Sequence, residues 1–268
     1  MDVNNSFAGG TITTAIGADG IGRLTINRPE KRNALTDAMW RALPAALDRL
    51  VAQDQARVVI IAGAGGTDFS AGADIGEFAT LRKDGDTARL YEAGNSQAFA
   101  AVRTCPVPVI AVIRGICFGG GFGLAAAADI RLADETARFA IPAARLGLAY
   151  PLDAVQDLLR ALGDQRARHA LYSAWEMSAS EALGCGCLLS LYRKDELEAE
   201  ASRLASDIAA AAPLSVRASK AAILAQGSRS QQDLETAAAI ATLTFDSHGY
   251  AEGHRAFMEK RAATFTGR

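Results

Sequence analysis

A run of β-branched residues leading into three consecutive glycines and out through five small residues constrains this chain more than anything else in it. The stretch is 110–132, IAVIRGICFGGGFGLAAAADIRL. Ile110, Val112 and Ile113 predict a buried strand, Gly115 and Gly119-Gly120-Gly121 a turn, and residues 124–128, rich in alanine, a helix. A glycine turn at a helix N-terminus presents backbone N–H groups that have no intrahelical acceptor, at the positive end of the helix dipole. Such a turn suits an oxygen bearing negative charge, either a phosphate or an oxyanion formed during a reaction. A phosphate loop calls for Lys-Ser or Lys-Thr after the glycines, whereas Phe122-Gly123 follows here. The alternative is purely structural: the glycines serve only close packing of helix on strand.

The same pattern occurs earlier. Residues 58–62 (VVIIA) predict a strand, and a glycine-rich loop follows through Phe69-Ser70-Ala71-Gly72-Ala73-Asp74-Ile75. Ahead of it, 11–16 and 21–26 predict a hairpin, and Thr36 is placed to cap a helix whose apolar face includes Met39, Leu43 and Leu47, with a kink at Pro44. A polar helix over 86–102 leads to a strand at Val109. Beyond the glycine turn we expect strands at 129–133, 138–141 and 187–191, helices over 152–161 and 165–173, and a capping box from Ser178 to Glu181. From residue 194 onward the pattern is helix alone, over 194–211, 213–225, 231–245 and 250–265. This predicts an α/β core over 1–193 with parallel strands and glycine-rich crossovers, and a helical region over 194–268 suited to oligomerisation.

Among 268 residues half are hydrophobic and the net charge is −2, which gives no field favouring nucleic acid or an anionic membrane. The first residues, MDVNNSFAGG, lack a basic segment followed by an apolar one, so a soluble, cytoplasmic protein is expected. Cys105, Cys117, Cys185 and Cys187 form no paired CxxC set, and His169, His248 and His254 are not spaced as zinc ligands; reduced thiols and no metal are expected.

The two glycine loops together, Phe69 to Ile75 and Phe118 to Phe122, resemble the paired signature of the enoyl-CoA hydratase/isomerase family, the crotonase superfamily. Asn27-Arg28-Pro29-Glu30-Lys31-Arg32-Asn33-Ala34-Leu35 and the segment from Glu252 to Arg261 support the resemblance, which covers about residues 10–265. It implies a spiral of ββα units with a C-terminal helical region, a homotrimer or dimer of trimers, and an acyl-CoA thioester as substrate, with coenzyme A entering as part of the substrate and no separate cofactor. It assigns the N–H groups of Ala73 and Gly120 as an oxyanion hole. It also places Asn33, Ala34, Ala71, Asp74, Ile75, Gly76 and Gly119 along the substrate path, with Phe257 and Lys260 toward the nucleotide end, from this subunit or a neighbour.

The sequence departs from that family at its two glutamates. Hydratases of the family carry one three residues past the middle glycine and another in a later Pro-Glu step; here those positions are Gly123 and Ala143. Neither can activate water or return a proton, so standard two-glutamate hydration is not expected, and restoring both as Glu is expected to raise it. Residues 146–153 (LGLAYPLD) partly resemble the methylmalonyl-CoA decarboxylase branch, which puts a tyrosine in the acyl pocket; Tyr150 falls on it, although that branch has histidine in place of Ala73. Tyr150 is thus a candidate proton donor, Asp153 a candidate helix cap, and Asp74 a residue that shapes its loop. Three functions are compatible: an enolate-forming acyl-CoA lyase or isomerase of fatty acid metabolism, with decarboxylation through Tyr150 as its alternative; an inactive acyl-CoA-binding protein; and a structural subunit.

Overall fold

The computed structural model describes residues 3–228 and 230–266. Strands β1 (Val3–Phe7), β2 (Ile12–Ile16) and β3 (Ile21–Ile26) form an antiparallel meander, and α1 (Asp37–Asp48) crosses from β3 to β4 (Val58–Gly63). A long loop with the short helix α2 (Phe78–Leu81) then leads through α3 (Gly85–Arg103) to β5 (Val109–Ile113). Next come β6 (Ile116–Phe118), α4 (Gly120–Ala127), β7 (Ile130–Asp134), β8 (Arg138–Ala140) and α5 (Leu152–Ser173). The chain continues with β9 (Met177–Ser178), α6 (Ala179–Gly184), β10 (Ser190–Tyr192) and four helices: α7 (Leu197–Ala210), α8 (Pro213–Ser228), α9 (Gln231–Phe245) and α10 (His248–Glu259).

The larger sheet has the order β1-β2-β3-β4-β5-β7-β10 and is parallel from β3 onward. Its central strands are apolar on both faces because both are covered. Val59, Ile61, Val109, Ala111 and Ile113 point to the side of α1, α3 and α4, while Val58, Ile60, Ile110 and Val112 point to the other. That second face is closed by α7 through Leu197, Ala201, Ala205 and Ala209, one stripe spaced four residues apart.

The predicted single strand before the glycine turn is in fact two. Gly115, at φ 48°, bends the chain out of the large sheet so that β6 joins a second sheet of order β6-β8-β9. The missed β1 has few apolar residues to signal a strand, and its pairing with β2 supplies the reason it forms. Thr36 caps α1, accepting from Met39 N at 3.3 Å, and the helix runs unbroken past Pro44 into a wider turn over Arg49–Gln53. The two helices expected over 152–161 and 165–173 are the two arms of α5, parted at Gly163, whose φ 71° and ψ 166° are not helical. The last strand lies three residues later than expected, at β10, because residues 187 and 188 are used to close α6 through bonds to Ala182 O. Helix α10 ends at Glu259, where Lys260 turns left-handed at φ 54°.

Candidate functional site

The two glycine loops lie side by side. Ser70 N donates to Ile116 O at 3.0 Å and Phe118 N donates to Ser70 O at 2.9 Å, so the loop after β4 pairs with β6 as a strand would. Gly72, at φ 90°, sits where a Cβ would stand 2.7 Å from Phe118 O and 3.1 Å from Gly120 N. Gly119 adopts φ 51° and ψ −122°, closed to L side chains, and thereby starts α4 at Gly120. A Cβ on Gly120 would lie 2.9 Å from the Trp40 ring, and one on Gly121 2.8 Å from Ser70. The glycines therefore serve close packing and backbone exposure at once.

Among the described residues, the N–H groups of Ala73 and Gly120 have no hydrogen-bond partner, although the amides beside Ala73 are tied: Gly72 N to Ser70 Oγ (3.0 Å) and Asp74 N to Leu35 O (2.8 Å). Both residues line one apolar cavity of about 90 Å³, together with Ala71, Ile75, Gly119 and Tyr150. A framework of hydrogen bonds holds the first loop in place. Asn33, fully buried, donates to Ala64 O and Asp68 O at 3.0 and 2.8 Å and accepts from Arg28 N. Its carbonyl accepts from Ser70 Oγ at 2.8 Å. Arg28 pairs with Asp74 at 2.9 Å, and Asp74 also accepts from Gly76 N. Burial pushes the Asp74 carboxyl upward, but Arg28 and the Gly76 N–H outweigh it and hold its pKa below the ordinary value.

Asn33, Ala34, Asp74 and Gly76 accordingly stand behind or beside the cavity and do not line it, with the side chains of Asn33 and Asp74 spent on loop geometry. Phe257 and Lys260 are not brought to this cavity; Phe257 is 81% exposed at the end of α10. Asp153 is not a cap. It lies in the first turn of α5 behind Pro151, paired with Arg103 at 3.2 Å and accepting from Ser96 Oγ.

Tyr150 does reach the cavity, with its hydroxyl donating to Gly119 O at 2.9 Å, an oxygen that also accepts from Gly123 N at 3.1 Å. Burial, followed by the nearby Cys117 and Glu92, raises its pKa far above the ordinary phenol value. Its ring end and Phe99 occupy the place of a side chain at position 123: a Cβ there would stand 2.6 Å from Tyr150 Oη and 2.8 Å from Phe99 Cζ. Glutamate at Gly123 and Ala143 therefore cannot simply restore hydration, because the first needs Tyr150 and Phe99 to move.

The polar residues lining the cavity that sequence reasoning missed come from α2–α3: Arg82, Glu92 and Asn95. Arg82 is stacked over Phe78 and Tyr91, 4.3 and 4.4 Å from the ring centres, and pairs with Glu92 Oε1. Asn95 Nδ2 points to Glu92 Oε2 at 3.4 Å, and Asn95 Oδ1 and Arg82 Nε are buried without partners. The available signal was spacing, since Asn95 falls on the buried stripe of Tyr91, Ala98, Phe99 and Val102 and Glu92 beside it, on a helix that composition alone marks as polar. A larger cleft of about 670 Å³ opens between α5, α8 and β7; in it Lys220 pairs with Asp129, Arg103 with Asp157, and Arg131 donates to backbone carbonyls.

Comparison with known proteins bears on this geometry. The model of the enoyl-CoA hydratase/isomerase family matches residues 17–268. The chain is 33% identical over 246 residues to a crotonyl-CoA hydratase of Syntrophomonas wolfei, covering 90% of this chain and 93% of that one. It is 35% identical over 206 residues to the mouse mitochondrial Delta(3,5)-Delta(2,4)-dienoyl-CoA isomerase, covering 73% of this chain and 63% of the isomerase. The crystal structure of an enoyl-CoA hydratase/carnithine racemase from Magnetospirillum magneticum superposes with a TM-score of 0.90 at 35% identity, covering 96% of each chain.

Proposed function

The chain belongs to the enoyl-CoA hydratase/isomerase family, and from that premise we propose that it is an enzyme acting on a short acyl-CoA thioester whose carbonyl oxygen is received by the N–H groups of Ala73 and Gly120. The observation that carries this is the pair of unpartnered amides lining one apolar cavity, each fixed by hydrogen-bonded neighbours. Removing a group from the carbon beside a thioester carbonyl moves negative charge onto that oxygen. Two preorganised donors in a dry site stabilise it by about 3 kcal/mol each, a contribution absent from the neutral ground state. Coenzyme A enters as part of the substrate, and no resident cofactor is needed. A cavity of about 90 Å³ suits a short acyl chain.

Two-glutamate hydration is not the reaction we assign, since the side-chain space at Gly123 is taken and Ala143 carries no acid. Decarboxylation with Tyr150 as proton donor is not favoured either, because its hydroxyl is committed to Gly119 O and burial holds its proton tightly. In our reading Tyr150 supports the hole. Gly119 C=O and Gly120 N–H are the two ends of one trans peptide and point in opposite directions, so a bond to the carbonyl from Tyr150 fixes the aim of the amide. The enolate needs one proton carrier, which suits isomerisation or exchange better than addition of water.

Acetoacetyl-CoA tests this, because its enolate absorbs in the near ultraviolet and its neutral form does not. Binding should bring up the enolate band at a pH where the free thioester shows little of it, and Gly120→Pro, which removes one donor, should abolish it. Binding of acetoacetyl-CoA to the unaltered protein, detected by thermal shift, without the enolate band would overturn the proposal.

A further inference from the structure

A hole that stabilises an enolate still requires a group to take the proton, and neither Gly123 nor Ala143 can. Among the described residues lining the cavity, the one carboxylate is Glu92, delivered by α3 and not by the glycine turn or the loop after β8. Its surroundings give it a fixed direction. Arg82 lies over the rings of Phe78 and Tyr91 and holds Oε1, while the Asn95 amide addresses Oε2. The Asn95 amide cannot be turned over without setting Oδ1 against Oε2, so the arrangement has one orientation. Two pairing groups leave each carboxylate oxygen a further lone pair, and the Glu92 side chain keeps about a third of its surface open. The Arg82 side chain, by contrast, is only 7% exposed. A buried guanidinium seated on two aromatic rings holds the carboxylate in place, as a positioned proton carrier requires.

Resting on the reading of Ala73 and Gly120 as an oxyanion hole, we propose that Glu92 is the catalytic acid–base residue, carrying a proton from and to the carbon chain of the bound acyl-CoA. In the forward step a Glu92 oxygen takes a proton from the carbon next to the thioester carbonyl. The C–H bonding pair becomes the C=C bond of the enolate, and the carbonyl π pair moves onto the oxygen held by the two amides. The return step reverses these movements: the oxygen pair re-forms C=O and Glu92 gives the proton back. Delivered to the same carbon, the proton merely exchanges; delivered to the far end of a conjugated enolate, it shifts a double bond. No water is added and no second acid is used, so the reaction class is double-bond isomerisation. The proton carrier has thus migrated from the glycine-turn helix to the helix facing it across the cavity, and Tyr150 with Phe99 has filled the place left at Gly123.

Butyryl-CoA in heavy water reads the proton step alone, since a saturated chain can be neither hydrated nor isomerised. The unaltered protein should incorporate deuterium beside the thioester, seen as a mass increase. Glu92→Gln keeps an acceptor for Arg82 but cannot take a proton, and should slow incorporation by about 10²–10⁴-fold while the acetoacetyl-CoA enolate band remains. That band shows that the variant is folded and its hole intact. Exchange undiminished in Glu92→Gln, or an unaltered protein that forms the enolate band but never exchanges butyryl-CoA, would overturn the assignment of Glu92. Loss of the band from the unaltered protein would instead overturn the oxyanion hole, and Glu92 would fall with it.

Discussion

Alanine at position 123 is the smallest change that tests how the pocket is filled. Its Cβ would have to stand 2.6 Å from Tyr150 Oη, 2.8 Å from Phe99 Cζ and 2.9 Å from Phe99 Cε1. Phe99 is buried and set edge-on against Trp40 at 5.7 Å, so its ring is hemmed in, and Tyr150 can give way only into the cavity it lines, at the expense of its bond to Gly119 O. Forcing a methyl into a filled site costs about 1–3 kcal/mol, against the roughly 0.5–1 kcal/mol that Gly→Ala ordinarily gains inside a helix. Gly123→Ala should therefore lose about 0.5–2 kcal/mol. Tyr150→Phe removes the hydroxyl, giving up about 1 kcal/mol for its bond to Gly119 O, which keeps the Gly123 N–H. In the double variant the shortest clash is gone while the Phe99 contacts persist, so the two effects should couple favourably by about 0.5 kcal/mol or more. Urea unfolding of the four proteins at equal protein concentration, compared at constant m, measures this. Strict additivity, or a Gly123→Ala variant more stable than the parent, would show that Tyr150 does not occupy the place we describe.

Lys220, nearly fully buried on α8, pairs with Asp129 at 2.7 Å and donates to Val107 O at 2.9 Å; Lys220→Met should cost about 3 kcal/mol, the low end for breaking a buried pair, in urea unfolding. The Asp74 pKa is depressed in the fold, so its contribution is complete above the ordinary carboxylate value and disappears as pH falls through the folded one; Asp74→Asn should flatten the acid limb of a stability–pH curve and lower stability at neutral pH. Burial raises the thiols of Cys105 and Cys117 and lifts Cys187 to about 12. At pH 8 an aromatic disulfide reagent should therefore titrate Cys185 alone in the native protein and four thiols after unfolding. Helices α8 to α10 leave Ile223, Leu243, Phe245, Tyr250, Phe257 and Met258 exposed; sedimentation should show a trimer or a hexamer at micromolar concentration, and a monomer would refute that reading.

Most strands were legible in the sequence because continuous apolar runs such as Val58 to Ile61 mark a sheet buried on both faces, and the capping box of Ser178 and Glu181 formed as its spacing dictates. The glycine loops were legible for a different reason: a backbone that must approach its neighbours closely leaves a run of missing side chains, and Gly72 and Gly121 face another backbone while Gly120 faces the Trp40 ring. What no local pattern carries is which residues a distant helix brings across the cavity. Glu92 and Arg82 look like ordinary surface charges on a polar stretch until α3 is laid over the glycine turn. The role of Tyr150 was hidden in the same way, since its hydrogen bond spans 31 residues to a carbonyl that only the fold sets within reach.

The packing of α7 has a practical bearing on how this chain can be cut. The helical segment from residue 194 invites truncation as if it were an appendage, yet α7 is the lid of the sheet's second face. Without it Ile60, Ile110, Val112 and Leu132 would meet water directly. A shortened protein ending near residue 193 should collect in inclusion bodies, whereas an end placed after Ala211 retains the lid and is the sounder starting point for a minimal soluble fragment.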